Sequence, residues 1–244
     1  MTEKTILITG ASRGIGREVA ILAGKQGWSV GINFAGDAAA ADETIASVEA
    51  AGGRAVSLRG DVSNEADVLA MFGRLQETFG ALDGLVNNAG ILGPAMPLTE
   101  FSVERMRRIF DVNILGAFLC AREAAKRMTP GGVIVNVSSA AARLGSPNEF
   151  IDYAASKGAV DSLTIGLGKE LGPRQIRVNA VRPGLIDTEM HAQGGHPDRA
   201  KELGSGTPLG RAGKPKEVAE AIFWLLNDES SYVTGTLLDV AGGR

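Results

Sequence analysis

The sequence predicts one α/β domain spanning residues 1–244, a doubly wound parallel sheet of seven strands in a three-layer α/β/α sandwich. Three observations carry this reading. Short β-branched apolar runs alternate with longer segments of helical period, which is the pattern of successive βαβ units. Most of those runs are continuously apolar, as in strands covered by helices on both faces. Glycine makes up 33 of the 244 residues, against a usual share of ~7%, so tight turns and close backbone approaches must be frequent.

In chain order, strands are expected at 5–9, 29–34, 55–60, 84–87, 132–138, 176–181 and 237–240. Helices are expected between them at 14–26, 38–52, 64–79, 102–128, 153–172 and 215–227. The first helix shows its apolar period at Val19, Ala20 and Ala23, directly after a glycine-rich turn, and Asp37 is placed to cap the second. The segment around 186–211 breaks the spacing. Its MHAQGGHPDR and GSGTPLG stretches carry glycine and proline without a sustained apolar period. A connection this long in a compact domain is usually functional, and it reads as a mobile flap over a substrate.

Composition narrows the function. Hydrophobic residues are 44% and charged residues 22%, with a net charge of -3 and no run of like charges, so no broad basic surface for nucleic acid is expected. No stretch approaches the ~18 consecutive apolar residues of a membrane span. The opening MTEKTILITG runs straight into a strand-like segment without a basic-then-apolar leader, which predicts a cytoplasmic protein. Cys120 is the only cysteine and His191 and His196 the only histidines, so neither an intrachain disulfide, a metal site nor a Ser/His/Asp hydrolase is expected.

The first strand ends in Thr9-Gly10-Ala11-Ser12-Arg13-Gly14-Ile15-Gly16. Glycines there let the backbone turn tightly and approach a pyrophosphate, which sits at the positive end of the following helix. The spacing is G-x-x-x-G-x-G, not the more widespread G-x-G-x-x-G. An NAD site usually places an acidic residue near the end of the second strand, on the ribose 2'-hydroxyl. Here that stretch reads Gly31-Ile32-Asn33-Phe34-Ala35-Gly36, with no carboxylate before Asp37. Arg13 can instead pair with a 2'-phosphate, so NADP(H) is expected over NAD(H).

Tyr153-Ala154-Ala155-Ser156-Lys157 opens a helix and puts a phenol and an ammonium on one face, a turn apart. A free tyrosine has a pKa of ~10, and a nearby cation favours its ionised form, which suits a proton carrier in either direction. Such a pair also arises by chance on solvated helices, so it counts only with company. The fifth strand ends at Ser138 and Ser139, at the carboxyl edge where open α/β sheets bind ligands. Asn113 interrupts a helical period set by Phe110, Ile114 and Ala117, which is unfavourable by propensity and suggests a bond to a carbonyl or ordered water.

Together these residues resemble the short-chain dehydrogenase/reductase family, in its one-domain Rossmann-type branch, from Thr5 to Gly243. The TGASRGIG turn resembles the family's cofactor motif, and Asn87-Asn88-Ala89-Gly90 the segment that steadies the central sheet beside the adenosine ribose. Asp61-Val62 looks like the pair that meets the adenine, and Pro183-Gly184, Ile186 and Thr188 like the segment that holds the nicotinamide carboxamide. Asn113, Ser139, Tyr153 and Lys157 match the catalytic tetrad in order. The resemblance implies that Ser139 orients a carbonyl and Tyr153 transfers the proton. It also implies that Lys157 binds nicotinamide ribose and lowers the tyrosine pKa, while Asn113 anchors a relay water. A homotetramer packing through the helices around 102–128 and 153–172 follows from the same analogy. The chain is similar to bacterial members named as sugar dehydrogenases or uncharacterised reductases.

Ser139 and Tyr153 are fourteen residues apart, one more than the family's commonest spacing, so the loop through Gly145-Ser146-Pro147-Asn148-Glu149 is longer and borders the substrate pocket. Ser138 is the fallback for the serine. The substrate is a small carbonyl compound or alcohol, with Met190, His191, His196 and Leu203 of the flap as candidate contacts. The alternative is a non-catalytic NADP(H)-binding regulator or scaffold, because a fold does not determine function. The intact tetrad favours the enzyme. A lyase or epimerase would call for a further catalytic base, which no residue suggests.

Overall fold

A computed structural model describes residues 3–244, with the side chains of His191 and Gln193 outside what it describes. The flap's His191 candidate therefore lies outside the described residues. Seven strands, β1 (Thr5–Ile8), β2 (Ser29–Phe34), β3 (Arg54–Arg59), β4 (Gly84–Asn87), β5 (Val133–Val137), β6 (Arg177–Pro183) and β7 (Leu237–Val240), form one sheet in the order β3-β2-β1-β4-β5-β6-β7. Every neighbouring pair is parallel.

Ten α-helices are described: α1 (Gly14–Lys25), α2 (Ala38–Ala50), α3 (Glu65–Phe79), α4 (Val103–Phe110), α5 (Gly116–Arg127), α6 (Ala141–Leu144), α7 (Ile151–Leu171), α8 (Met190–Gln193), α9 (Arg199–Gly204) and α10 (Pro215–Leu226). Alternation along β1 feeds two separate cores. Ile6 and Ile8 pack with Val19, Val218 and Ile222 of α1 and α10. Leu7, on the other face, packs with Phe72, Cys120 and Leu171 of α3, α5 and α7. The inner strands β1, β2, β4 and β5 are buried at every residue, while the edge strands β3 and β7 are partly exposed, which is why their sequences are the more polar.

The strand order reverses between β1 and β4, and the crevice beyond their carboxyl ends is the usual ligand position of a doubly wound sheet. Three local features differ from the sequence expectation. The helix expected over 102–128 is interrupted by a π turn at Asp111–Leu115, centred on Asn113. A single π turn shifts the backbone register by one residue, which periodicity cannot reveal, and such turns cluster at functional sites. The segment around 186–211 is not bare loop but carries the short α8 and α9. α7 begins at Ile151, so Tyr153 sits inside its first turn and not at its start.

Candidate active site

The turn after β1 and the loop after β4 are built as one piece. The Thr9 hydroxyl accepts from the backbone N–H of Asn88 and of Ala89, both at 2.9 Å. The Asn88 side chain donates back to the carbonyls of Thr9 at 2.8 Å and Gly10 at 3.0 Å. Gly10 and Gly14 have φ of 62° and 57°, the left-handed region that glycine enters without strain. Gly16 is required for space, since a Cβ there would lie 2.7 Å from both the Gly10 carbonyl oxygen and Asn88 Nδ2. No side chain caps α1 and no acidic residue occupies its first turn, so its leading amides are left to an external anion. This cradle fits a pyrophosphate.

Gly10, Ser12, Arg13, Gly14 and Ile15 line a cleft that continues past Phe34 to Asp61, Val62, Ala89 and Gly90. Arg13 is exposed at its mouth and pairs with no carboxylate among the described residues. Asp37, which also lines the cleft, accepts from Ala40 N–H at 3.1 Å and caps α2, as expected, so the carboxylate that follows β2 is engaged by the helix. Asn33 lines the same cleft and also braces it. It is buried, accepts from Gly10 N–H at 3.2 Å and donates to the carbonyls of Leu58 and Gly60, each at 3.0 Å. Val62 is buried against Gly116, where a Cβ would come within 2.7 Å of it. Asp61 accepts from the Ser63 N–H and hydroxyl at 2.9 and 2.6 Å and pairs with Arg108 at 3.1 Å. Burial pushes its carboxyl up, but these partners together hold it below the usual carboxylate value. Arg108 lines the same cleft and was not anticipated, because on the sequence it is one of several arginines on a polar helix face.

A second pocket adjoins the first through Ile15, Asn88, Thr188 and Met190, and it contains Ser139, Tyr153 and Lys157. Thr188 closes over the cradle, with its methyl 3.7 Å from where a Gly14 Cβ would stand. Pro183 ends β6 and lines this pocket with Gly184 and Ile186, although Gly184 is dictated by packing: a Cβ there would lie 2.7 Å from Ala241 Cα. The two serines separate cleanly. Ser138 is buried and donates to the Lys157 carbonyl at 3.1 Å, so it ties β5 to α7. Ser139 faces Tyr153, and its hydroxyl accepts from Ala141 N–H at 3.1 Å.

Lys157 is buried and donates from Nζ to the Val137 carbonyl at 2.8 Å, with Nζ 5.6 Å from the Tyr153 ring centroid. Burial pulls its pKa down to about 8, against the opposing charge of Asp161. The tyrosine departs from the sequence expectation. Burial pushes its phenol above the ordinary value, with the Ser139 hydroxyl opposing, so in this state the lysine does not dominate it. The one hydrogen bond that holds the ammonium runs to a carbonyl of β5. Asn113 is buried beside them. Its amide accepts from Ile91 N–H at 2.8 Å and donates to the Ile91 carbonyl at 3.0 Å and the Ser156 hydroxyl at 3.1 Å. Both amide hydrogens are thus engaged, and only its oxygen keeps a lone pair for a relay water. A Cβ on Gly90 would stand 3.4 Å from both Asn113 Oδ1 and Lys157 Nζ, so the three positions converge.

Sequence reasoning also missed the pair that fixes the start of α7. Arg105 on α4 binds Asp152 at 2.7 and 3.2 Å, and Asp152 in turn accepts from Tyr153 N–H at 2.9 Å. Arg105 also reaches the Pro94 carbonyl and lies 4.0 Å over the Phe101 ring, clamping the post-β4 loop to the tyrosine's turn. The Asp152 side chain is 1% exposed. Arg105→Met is therefore expected to destabilise the protein by about 3–5 kcal/mol, because it strands a buried carboxylate. Arg105→Met/Asp152→Leu should recover much of that loss, which urea denaturation of the two variants will measure.

The match between chain and known proteins extends over nearly the whole chain. Residues 10–244 match the protein family described as Enoyl-(Acyl carrier protein) reductase. The chain is 50% identical over 243 residues to the uncharacterized oxidoreductase YgfF of Escherichia coli (strain K12), covering 98% of each. It is 38% identical over 247 residues to glucose 1-dehydrogenase 2 of Bacillus subtilis (strain 168), covering 100% of this chain and 95% of the other. Its structure superposes with a TM-score of 0.91, at 34% identity and over 98% and 97% of the two chains, on a short-chain dehydrogenase from Burkholderia cenocepacia solved in complex with NADP. This chain belongs to the short-chain dehydrogenase/reductase family. As a member it is an oxidoreductase acting on CH–OH or C=O groups. Among the described residues no helix is long and apolar enough to cross a membrane.

Proposed function

We propose that this oxidoreductase uses NADP(H) to move a hydride between nicotinamide and the carbon of a carbonyl or secondary alcohol, with Tyr153 as the proton carrier. The observation that carries the reading is the continuity of the two pockets. The pyrophosphate cradle opens directly onto the pocket that holds the Ser139 and Tyr153 hydroxyls and Lys157. Gly10, Ser12, Gly14, Ile15 and Gly16 would hold the phosphates, Asn88, Ala89 and Gly90 the adenosine side, and Pro183, Gly184, Ile186 and Thr188 the nicotinamide end. When bound, the nicotinamide supplies or accepts the hydride. Ser139 donates a hydrogen bond to the substrate oxygen, and Tyr153 Oη gives it a proton in reduction or takes one in oxidation. Lys157 holds the ribose and adds positive charge beside the phenol, which offsets the effect of burial. Asn113 fixes Ile91 and Ser156 and so the floor of the pocket.

Arg13 supports NADP(H) over NAD(H), as it is a guanidinium at the cleft mouth that pairs with no carboxylate among the described residues, while the nearby Asp37 is taken up in capping α2. A homotetramer accords with the exposed Phe118 on α5 and Ile165 on α7, at 46% and 38%. The segment around 186–211 would act as the flap over the substrate, in a cytoplasmic enzyme. The test is a panel of carbonyls and alcohols followed by nicotinamide absorbance with both cofactors, for the natural chain and Arg13→Ala. The variant should raise KM for NADPH about tenfold or more, the worth of a hydrogen bond to a charged group, and leave KM for NADH nearly unchanged. A natural chain that prefers NADH would refute the cofactor assignment.

A further inference from the structure

Leu92, Leu144, Phe150 and Leu185 line the pocket of Ser139 and Tyr153 but not the cofactor cleft, so they form the wall left for the substrate. Leu144 is 42% exposed there, an apolar side chain that gains when a substrate body covers it. The polar groups of the same pocket are already engaged. Among the described residues no acidic, histidine or glutamine side chain lines it. Its one side-chain amide, Asn88, is held by the carbonyls of Thr9 and Gly10. Ser138 donates to the Lys157 carbonyl and Lys157 to the Val137 carbonyl. Ser139 and Tyr153 belong to the reaction, and Thr188 closes over the cofactor cradle. Ser146 remains, one hydroxyl against the several that a sugar carries.

Charge on this wall is balanced as well. Arg244 is exposed, so it stands at the rim. Arg199, from α9, is the charged residue of the wall itself, and its fork donates two bonds of 2.6 Å to Glu149, with the guanidinium 5.4 Å over the Phe150 ring. The Arg199 side chain is only 16% exposed, so this clasp is a fixed part of the pocket. Arg199 holds the Glu149 carboxyl below the usual carboxylate value, and the acid therefore stays ionised and the pair neutral. Glu149 belongs to the loop that is one residue longer than the family's commonest spacing. Its carbonyl accepts from Met96 N–H at 3.2 Å, which ties the clasp to the loop after β4. An anion entering the pocket meets a neutral pair there, not a free cation.

We infer that the substrate is an uncharged ketone with an apolar body, or the matching secondary alcohol, whose oxygen meets Ser139 and Tyr153 while its hydrocarbon part lies against Leu92, Leu144 and Leu185. A hydroxyl carried onto this wall loses its water and finds few partners, whereas each methylene buried there gains. In reduction the ketone carbon gains the hydride and its oxygen the Tyr153 proton. The dinucleotide is oxidised, and the hydrocarbon body is unchanged. The inference rests on the redox reading given above and names the substrate class for it.

Methyl ketones from butanone to octanone test it, each assayed with NADPH beside the analogue in which a hydroxyl replaces the terminal methyl and beside the oxo acid of equal length. kcat/KM should climb about fourfold for each methylene added until the wall is covered. Each ketone should exceed its hydroxylated analogue by roughly fivefold to a hundredfold, the cost of burying an unpaired hydroxyl. L144Q should flatten the chain-length series. E149Q should lower the ratio of ketone to oxo acid, because it leaves the Arg199 charge unbalanced. A merely structural clasp would change ketone and acid alike, so a ratio that E149Q leaves unmoved would overturn the proposal. A flat series in the natural chain, or a hydroxylated analogue or oxo acid reduced better than its ketone, would also overturn it and leave the redox reading standing. No reduction of any carbonyl would remove both.

Discussion

Tyr153→Phe should lower turnover by about 10²–10⁴-fold, the range that a positioned proton carrier supplies, while NADPH still binds. The ring survives, and Asp152 holds residue 153 through its backbone N–H, so the α7 turn is untouched by loss of the hydroxyl. Kinetics and coenzyme fluorescence titration on the same preparation separate the two effects. The direction of the pKa shift adds a sign. Burial raises the Tyr153 phenol, so below that value it carries its proton and is ready to act as an acid in carbonyl reduction. Alcohol oxidation needs the phenolate, and its rate should climb with pH through the neutral and mildly alkaline range while reduction does not. Near-normal turnover in the variant would eliminate Tyr153 as the proton carrier.

Gly16→Ala should cripple coenzyme binding without touching any residue of the tetrad. The new Cβ would lie 2.7 Å from the Gly10 carbonyl oxygen, closer than carbon and oxygen approach, and Gly10 cannot retreat because that oxygen also accepts from Asn88 at 3.0 Å. α1 must then move away from the turn, which misplaces the amides that face the phosphates. Overpacking of this kind costs about 1–3 kcal/mol in stability. Losing one or two charge-assisted bonds to phosphate weakens affinity by roughly 10²-fold or more. Calorimetric titration with NADPH and thermal unfolding of the free protein measure the two terms separately. Unchanged affinity would mean that the dinucleotide does not lie across this turn.

Much of the molecule was legible in the chain. Continuous apolar runs located the inner strands, because strands buried on both faces have no polar alternation to blur them. The edge strands β3 and β7 were found as well, on their β-branched and apolar content. Gly10, Gly14 and Gly16 were legible for a local reason: a backbone turn at positive φ and a helix packed onto that turn leave no room for other residues. The i,i+4 pairing of Tyr153 with Lys157 was legible because a helix alone sets it.

Other features depended on partners far away in the chain. Asn33 lines the cleft at the end of its strand, and its further role as a brace was hidden because its amide donates to the carbonyls of Leu58 and Gly60, 25 and 27 residues away. The choice between Ser138 and Ser139 turned on which hydroxyl the Lys157 carbonyl claims. The π turn at Asn113 came from the bonds that Ile91 and Ser156 offer its side chain, and these lie 22 and 43 residues away.

The chain by itself determined the layered parallel sheet, the phosphate-binding turn and the order of the four polar positions, because each follows from periodicity, glycine stereochemistry or spacing along one element. Only the tertiary structure decided how charge is distributed around them. The Arg105–Asp152 clamp, the Arg199–Glu149 clasp and the bond from Lys157 to the Val137 carbonyl each join elements that are remote in sequence. Burial sets the strength of such pairings and the direction of pKa shifts, and it exists only once helices and loops have closed over the sheet.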